Sequence, residues 1–137
     1  MHGNTVRVYS LAKDGKTYLS KNFQVKEFRC HDGSDPVFVA DKLVEVLQQV
    51  RDHFGKPVNI QNHSAYRTPQ HNLRVGGTAY SQHLYVMAAD FHVVGVPSYQ
   101  VAAYLETIVP GTGGIGIYES FVHFDTRTEK ARWDSRN

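Results

Sequence analysis

Two polar segments far apart in the chain constrain its fold most, because their side chains form a recognisable set of metal ligands only if they meet. Residues 81–90, SQHLYVMAAD, hold His83 and Asp90 seven positions apart, between a Gly-rich turn and an apolar run. Residues 121–125, FVHFD, contribute His123. Two imidazoles and one carboxylate are a common ligand set for a catalytic zinc ion, since three protein ligands leave the fourth position for water. The pattern favours a zinc site at His83, Asp90 and His123, with an ordinary buried polar cluster as the alternative.

Strand periodicity indicates which of these side chains can share a site. Side chains alternate between the two faces of a strand, so His123 and Asp125 share one face of the last predicted strand. By the same rule, Asp90 and His92 share a face of an earlier strand. His83 lies an odd number of residues before Asp90, and we expect it on the loop before that strand, folded back toward the site.

Composition indicates a folded domain and argues against several classes of function. The chain has 137 residues, of which 41% are apolar and 20% charged, as expected for one domain spanning residues 1–137. A net charge of +2 is too small to indicate a nucleic-acid-binding protein. No apolar run approaches the roughly 20 residues of a membrane span, and residues 1–7 lack the apolar stretch of a secretory signal. The single cysteine, Cys30, provides neither an intramolecular disulfide nor a cysteine-based zinc site.

The apolar pattern predicts an α+β fold, in which an antiparallel sheet carries the site and helices pack to one side. A helix is predicted over residues 40–54, where Leu43, Leu47 and Val50 recur at three- and four-residue steps. Trp133 is expected to fold back onto the body of the domain. The other predicted elements are a helix over 99–108, a short helix over 69–75, strands over 58–61, 88–94, 114–118 and 121–126, and a hairpin within 5–19 around Asp14-Gly15.

Several motifs follow one another in an order that resembles a known family. Ser81-x-His83, six residues, Asp90 and a downstream His123 are similar to the Ser-x-His-(x)6-Asp … His pattern of the D-alanyl-D-alanine carboxypeptidase (M15) peptidases. The resemblance covers about residues 22–133 and is to the small single-domain branch, subfamily A of these peptidases. Further segments that resemble this branch are SAYRTP at 64–69, Asn72, VGG at 75–77, GIG-x-Y at 114–118 and Arg132-Trp133.

The resemblance implies a fold like that of hedgehog proteins and D-Ala-D-Ala peptidases, with Zn2+ held by His83, Asp90 and His123. It also implies that Arg67 helps to hold the substrate. A guanidinium fork suits this role, because it binds a carboxylate, or a carbonyl with developing charge, through two parallel hydrogen bonds. Ser81 stands where the family has a serine beside the first ligand, and it binds substrate, orients His83 or caps the turn.

The general base is where the chain departs from the family. Many M15 enzymes have a Glu or Asp three residues before the last histidine, and Ser120 occupies that position here. Residues 86–87 also depart, since valine stands where family members usually have glycine. Asp125, on the strand face of His123, and Glu119, four residues before His123, remain as candidates. We favour Asp125, because alternation fixes its face, with orientation of a ligand histidine as its alternative role.

These observations predict a zinc metallopeptidase that cleaves stem or cross-link peptides of peptidoglycan, as a D-Ala-D-Ala carboxypeptidase or an endopeptidase. The alternative is a zinc-binding module of the same fold, with weak or no catalytic activity and a binding or structural role. We expect a monomer that is made in the cytoplasm and acts at the bacterial cell wall, with no nucleic-acid partner and no membrane span. The absence of a signal peptide and of a wall-binding module is typical of a phage- or prophage-encoded lysin.

Overall fold

The computed structural model describes residues 6–29, 35–61 and 88–136. These residues form helices α1 (Leu11–Asp14), α2 (Asp41–Phe54) and α3 (Ser98–Ile108), and a 3-10 turn at Val25–Phe28. Their strands are β1 (Val6–Ser10), β2 (Tyr18–Ser20), β3 (Phe23–Gln24), β4 (Pro36–Ala40), β5 (Val58–Ile60), β6 (Ala88–Val93), β7 (Gly114–Ile117), β8 (Val122–Asp125) and β9 (Ala131–Asp134).

Five of these strands form the sheet that carries the polar side chains singled out above. Their order is β5-β6-β8-β7-β9. Neighbouring strands run antiparallel, except that β9 runs parallel to β7. Strand β1 pairs with β4, and β2 with β3, in two separate two-stranded sheets. The mixture of helices and largely antiparallel strands confirms the predicted α+β fold.

Helices α2 and α3 pack against the apolar face of the five-stranded sheet. The stripe predicted for α2 is buried at Leu43, Leu47 and Val50, because steps of three and four residues return to the same side of a helix. Gly55 ends α2 in the left-handed conformation, at φ 65°. The sheet contributes buried side chains from alternate positions of its central strands, namely Ala89, Phe91, Val93, Ile115, Val122 and Phe124.

The boundaries of six predicted elements differ from the observed ones by no more than one residue at either end. They are α2, α3, β5, β6, β7 and β8. Apolar periodicity is clearest in α2, whose buried residues follow the predicted stripe. Trp133 does fold back onto the domain, and it does so as part of a strand, β9, that the sequence did not predict.

The hairpin predicted around Asp14-Gly15 is wrong. The Ser10 hydroxyl accepts a hydrogen bond from the N–H of Lys13 at 3.3 Å and begins α1, which ends just before Gly15. Gly15 adopts a helical φ of −53°, whereas the tight hairpin turn favoured by Asp-Gly needs positive φ. Strand β1 therefore pairs with the distant β4 rather than with β2.

Some of the predicted residues lie outside the part of the chain that the structure describes. They are Arg67, Ser81 and His83, together with the helix predicted over 69–75. Across residues 6–29, 35–61 and 88–136, no helix is both long and apolar enough to cross a membrane.

Candidate functional site

Two of the predicted site residues lie in one row across the sheet. Asp90 of β6 is opposite His123 of β8, and His123 is opposite Gly116 of β7. Gly116 is in turn opposite Trp133 of β9. Because opposite residues on neighbouring strands project to the same face, the row brings Asp90, His123 and Trp133 together on the face away from the helices.

The imidazole of His123 lies between two carboxylates. Its Nδ1 is 2.8 Å from Oδ1 of Asp90, and its Nε2 is 2.7 Å from Oδ2 of Asp125. Burial lowers the pKa of His123, but the hydrogen bonds to Asp125 and Asp90 outweigh burial and raise the pKa to about 9. The site therefore stabilises a positive charge on or beside this ring.

The carboxylate of Asp125 is fully buried and surrounded by hydrogen-bond donors. Oδ1 accepts from the N–H of Gly114 at 3.0 Å and from the N–H and Nε of Arg127 at 3.1 and 2.8 Å. Oδ2 accepts from Nη2 of Arg127 at 2.8 Å and from Nε2–H of His123. Burial alone would raise the pKa of Asp125, but these donors lower it well below its usual range. A carboxylate offers about four lone-pair sites, so its capacity to accept a further proton from water is already used.

Two glycines of β7 make room for these side chains. A Cβ on Gly114 would collide with the carboxylate of Asp125, and a Cβ on Gly116 would collide with the indole of Trp133. The indole ring centroid lies 5.2 Å from that of His123. Nε1 of Trp133 donates to the hydroxyl of Tyr118 at 2.9 Å, and this bond helps to hold the indole beside His123.

The chemistry of this donor set fits a metal ion. Histidine ligands of metals almost always donate their second ring N–H to a carboxylate or carbonyl, and Nε2–H of His123 makes such a bond to Asp125. Nδ1 then faces the carboxylate of Asp90, where a cation can take the place of the proton between them. Within the described ranges no group of three or more His, Cys, Asp and Glu side chains could hold a metal ion, and the predicted third ligand, His83, lies outside them.

Glu119, the other candidate base, lies in the exposed turn between β7 and β8. The N–H of Tyr118 donates to the carbonyl of Phe121 at 3.0 Å and closes this turn. Glu119 lines a surface cavity together with Ser98 and Arg136, so it lies on the side of the turn toward the N-terminus of α3.

His92 lies on the same sheet face as Asp90, two residues further along β6. It is opposite Asn59 of β5, and its Nε2 is 3.3 Å from Nδ2 of Asn59. His92 therefore has a hydrogen-bond partner on the edge strand.

Arg127 and Trp133 are site residues that the sequence reasoning did not assign. Arg127 follows Asp125 by two residues, so strand alternation, extended past the end of β8, is the signal that could have found it. Trp133 offered no comparable signal, because its position beside His123 depends on the pairing of β9 with β7.

Comparison with known proteins supports the family suggested by the motifs. The chain matches the sequence model of the family described as Peptidase M15 over residues 19–125. No curated protein and no solved structure matches it. The family match ends at Asp125 and includes Asp90 and His123.

Proposed function

The chain belongs to the peptidase M15 family, and from this premise we propose that it is a zinc-dependent peptidase that cleaves stem or cross-link peptides of peptidoglycan. The family gives the class of chemistry, which is hydrolysis of peptide bonds. The observation that carries the finer proposal is the hydrogen-bonded series Asp90–His123–Asp125, in which one imidazole nitrogen faces a carboxylate ligand and the other is held by a buried carboxylate. We further propose action at the bacterial cell wall by a protein of phage or prophage origin.

The proposed zinc ligands are His83, Asp90 and His123. When bound, zinc supplies a Lewis acid that polarises the scissile carbonyl and lowers the pKa of a water molecule. Asp125 keeps Nε2 of His123 protonated and hydrogen-bonded, which leaves Nδ1 as the coordinating nitrogen. Asp125 is therefore proposed as a positioning residue, the alternative role that the sequence left open.

Glu119, the other candidate carboxylate, is exposed and is proposed as the proton acceptor, a role that requires it to reach the site from the turn toward the N-terminus of α3. A general base must take a proton from water and pass it to the leaving amine. Asp125 is poorly suited to this step, since five donors already occupy its two oxygens. Arg67 is proposed to hold a carboxylate or carbonyl of the substrate with its guanidinium fork, and Ser81 to bind the substrate beside His83.

A second candidate function is a zinc-binding module of the same fold without useful peptidase activity. The position of Glu119 favours it, because this carboxylate lies toward Ser98 and Arg136 at the N-terminus of α3. Ser120, in place of the family's usual acidic residue, favours it as well. In that case the metal would stabilise a binding surface rather than a reaction.

Digestion of peptidoglycan distinguishes the two functions. Zinc-loaded protein is incubated with purified peptidoglycan, and the released products are identified by mass. Free D-alanine indicates a carboxypeptidase and released cross-link fragments an endopeptidase, whereas a zinc-loaded protein that releases neither supports the binding module. Glu119→Gln should lower turnover by roughly 10²–10⁴-fold, while Glu45→Gln, at an exposed position of α2, serves as the matched control. Normal turnover in Glu119→Gln would remove Glu119 from the mechanism.

A further inference from the structure

Arg127 donates three hydrogen bonds to the carboxylate of Asp125. Its Nε donates to Oδ1 and its Nη2 to Oδ2, both at 2.8 Å, and its backbone N–H donates to Oδ1 at 3.1 Å. Two parallel side-chain bonds fix the plane of a carboxylate as well as its position. The orientation of Oδ2 toward His123 is therefore determined by Arg127.

The surroundings of Arg127 hold the guanidinium in place. A Cβ on Gly114 would approach Nε of Arg127 to 2.9 Å, so a glycine is needed for the arginine to lie against β7. On its other side, Cζ of Arg127 lies 5.7 Å from the ring centroid of Trp133, in cation–π contact. The side chain of Arg127 is 32% exposed and that of Asp125 is fully buried, so the pair is only partly reached by water.

We infer that Arg127 is a positioning residue, which locks Asp125 so that Asp125 in turn fixes the ring of His123 with Nε2–H toward Asp125 and Nδ1 toward Asp90. The inference rests on the proposed function in one respect, namely that Nδ1 of His123 binds a metal. The positioning itself concerns the protein's own hydrogen bonds and exists with or without a metal.

The physical need for such a residue lies in the imidazole ring. A neutral imidazole has one donor nitrogen and one acceptor nitrogen, and the partner of one nitrogen decides which of the two binds a metal. Without the side chain of Arg127, Oδ1 of Asp125 would keep its two backbone donors. The carboxylate would lose both bonds from the guanidinium. Oδ2 would then be held by His123 alone, and the Nε2 side of the ring would be held less firmly.

The chain contains a matched control for this arrangement. Arg136 follows Asp134 by two residues and repeats the same three contacts, with Nε and the backbone N–H on Oδ1 and Nη2 on Oδ2. This second pair is exposed, at 39% and 46%. Substituting Arg136 therefore removes an equivalent local pair, whose bonds go to Asp134, and leaves the bonds between Arg127 and Asp125 in place.

The test compares Arg127→Gln with Arg136→Gln by two measurements. In metal-free protein with 15N-labelled histidine, NMR follows the exchange of the Nε2 proton of His123 with solvent, which should be faster in Arg127→Gln and unchanged in Arg136→Gln. Titration with zinc alone should give an affinity roughly 10–100-fold weaker for Arg127→Gln, as is typical when the partner of a ligand histidine is disturbed. Arg136→Gln should retain the parental affinity.

Unchanged proton exchange in Arg127→Gln overturns the inference, as does unchanged zinc affinity when the parent protein binds zinc. A parent that binds no zinc contradicts the proposed function instead, and the exchange measurement then decides the positioning role alone. If Arg127→Gln does not fold, Arg127→Lys is compared with Arg136→Lys. Lysine keeps the charge but not the two-pronged geometry, so parental values of both measurements in Arg127→Lys also overturn the inference.

Discussion

Replacing Asp125 by asparagine tests how the buried carboxylate stabilises the fold. Asparagine keeps the size of the side chain but carries a donor group where one carboxylate oxygen was. The side chain of Asp125 accepts charge-assisted bonds from Arg127 and a bond from Nε2 of His123. An amide NH2 in place of Oδ2 would face the donors of both residues, and an amide oxygen there would leave the NH2 facing the donors on Oδ1.

The expected loss of unfolding free energy in Asp125→Asn follows from the burial of the pair. Removing one partner of a buried ion pair costs about 3–5 kcal/mol, because the other charge is left without compensation. Arg127 is 32% exposed and stays partly hydrated, so we expect the lower end, about 3 kcal/mol. For a domain of this size, that lowers the melting temperature by about 10 °C. Asp134→Asn breaks the equivalent pair with Arg136, which is exposed. Exposed pairs contribute about 0.2–1 kcal/mol to the free energy of unfolding.

Urea unfolding of metal-free protein at neutral pH measures both variants against the parent. We expect a large loss of unfolding free energy for Asp125→Asn and a small loss for Asp134→Asn. Equal losses in the two variants would refute the reasoning, because Asp125 is buried and hydrogen-bonded to His123 whereas Asp134 is exposed.

Three further predictions concern other parts of the site. Gly116→Ala should lower the free energy of unfolding by about 1–3 kcal/mol and displace Trp133. Thermal unfolding measures the first effect, and the fluorescence of the single tryptophan measures the second. Because the folded pKa of His123 is raised from 6.5 to about 9, its contribution to the stability of the metal-free protein should be fully present below pH 6.5 and should be lost, by at most about 3 kcal/mol, as pH rises through 9. A flat urea profile across that range, or an equal slope in His123→Gln, contradicts this. Arg67→Lys should lower cleavage at least about tenfold with an unchanged melting temperature; a large drop in melting temperature would indicate a structural salt bridge instead.

Local pattern predicted the elements that hold the site, but not every pairing between them. Alternation along β8 correctly put His123 and Asp125 on one face, because that rule depends only on the pleat of a strand. The parallel pairing of β9 with β7 joins segments more than ten residues apart, and nothing in the local pattern of residues 131–134 specifies it. The position of Trp133 beside His123 was therefore beyond sequence reasoning.

The role proposed for Asp125 illustrates a second limit. The sequence favoured it as a general base on the ground that it shares a face with His123, and that shared face is observed. Whether such a carboxylate accepts a proton depends on its donors, and these come from β7 and from the chain just after β8. These donors can surround Asp125 only because its carboxylate lies very close to the backbone of β7, at a position where Gly114 has no Cβ. Tertiary packing, rather than local sequence, determines this close approach.

Zinc content tests the central claim most directly. The parent protein, purified and dialysed against zinc-containing buffer and then against metal-free buffer, should hold one equivalent per chain by elemental analysis. His83→Ala and His123→Ala should each hold far less than one equivalent, while His92→Ala, on the sheet face of Asp90 but paired with Asn59, should hold a full one. A full equivalent in both His83→Ala and His123→Ala, or no zinc in the parent, would contradict the account.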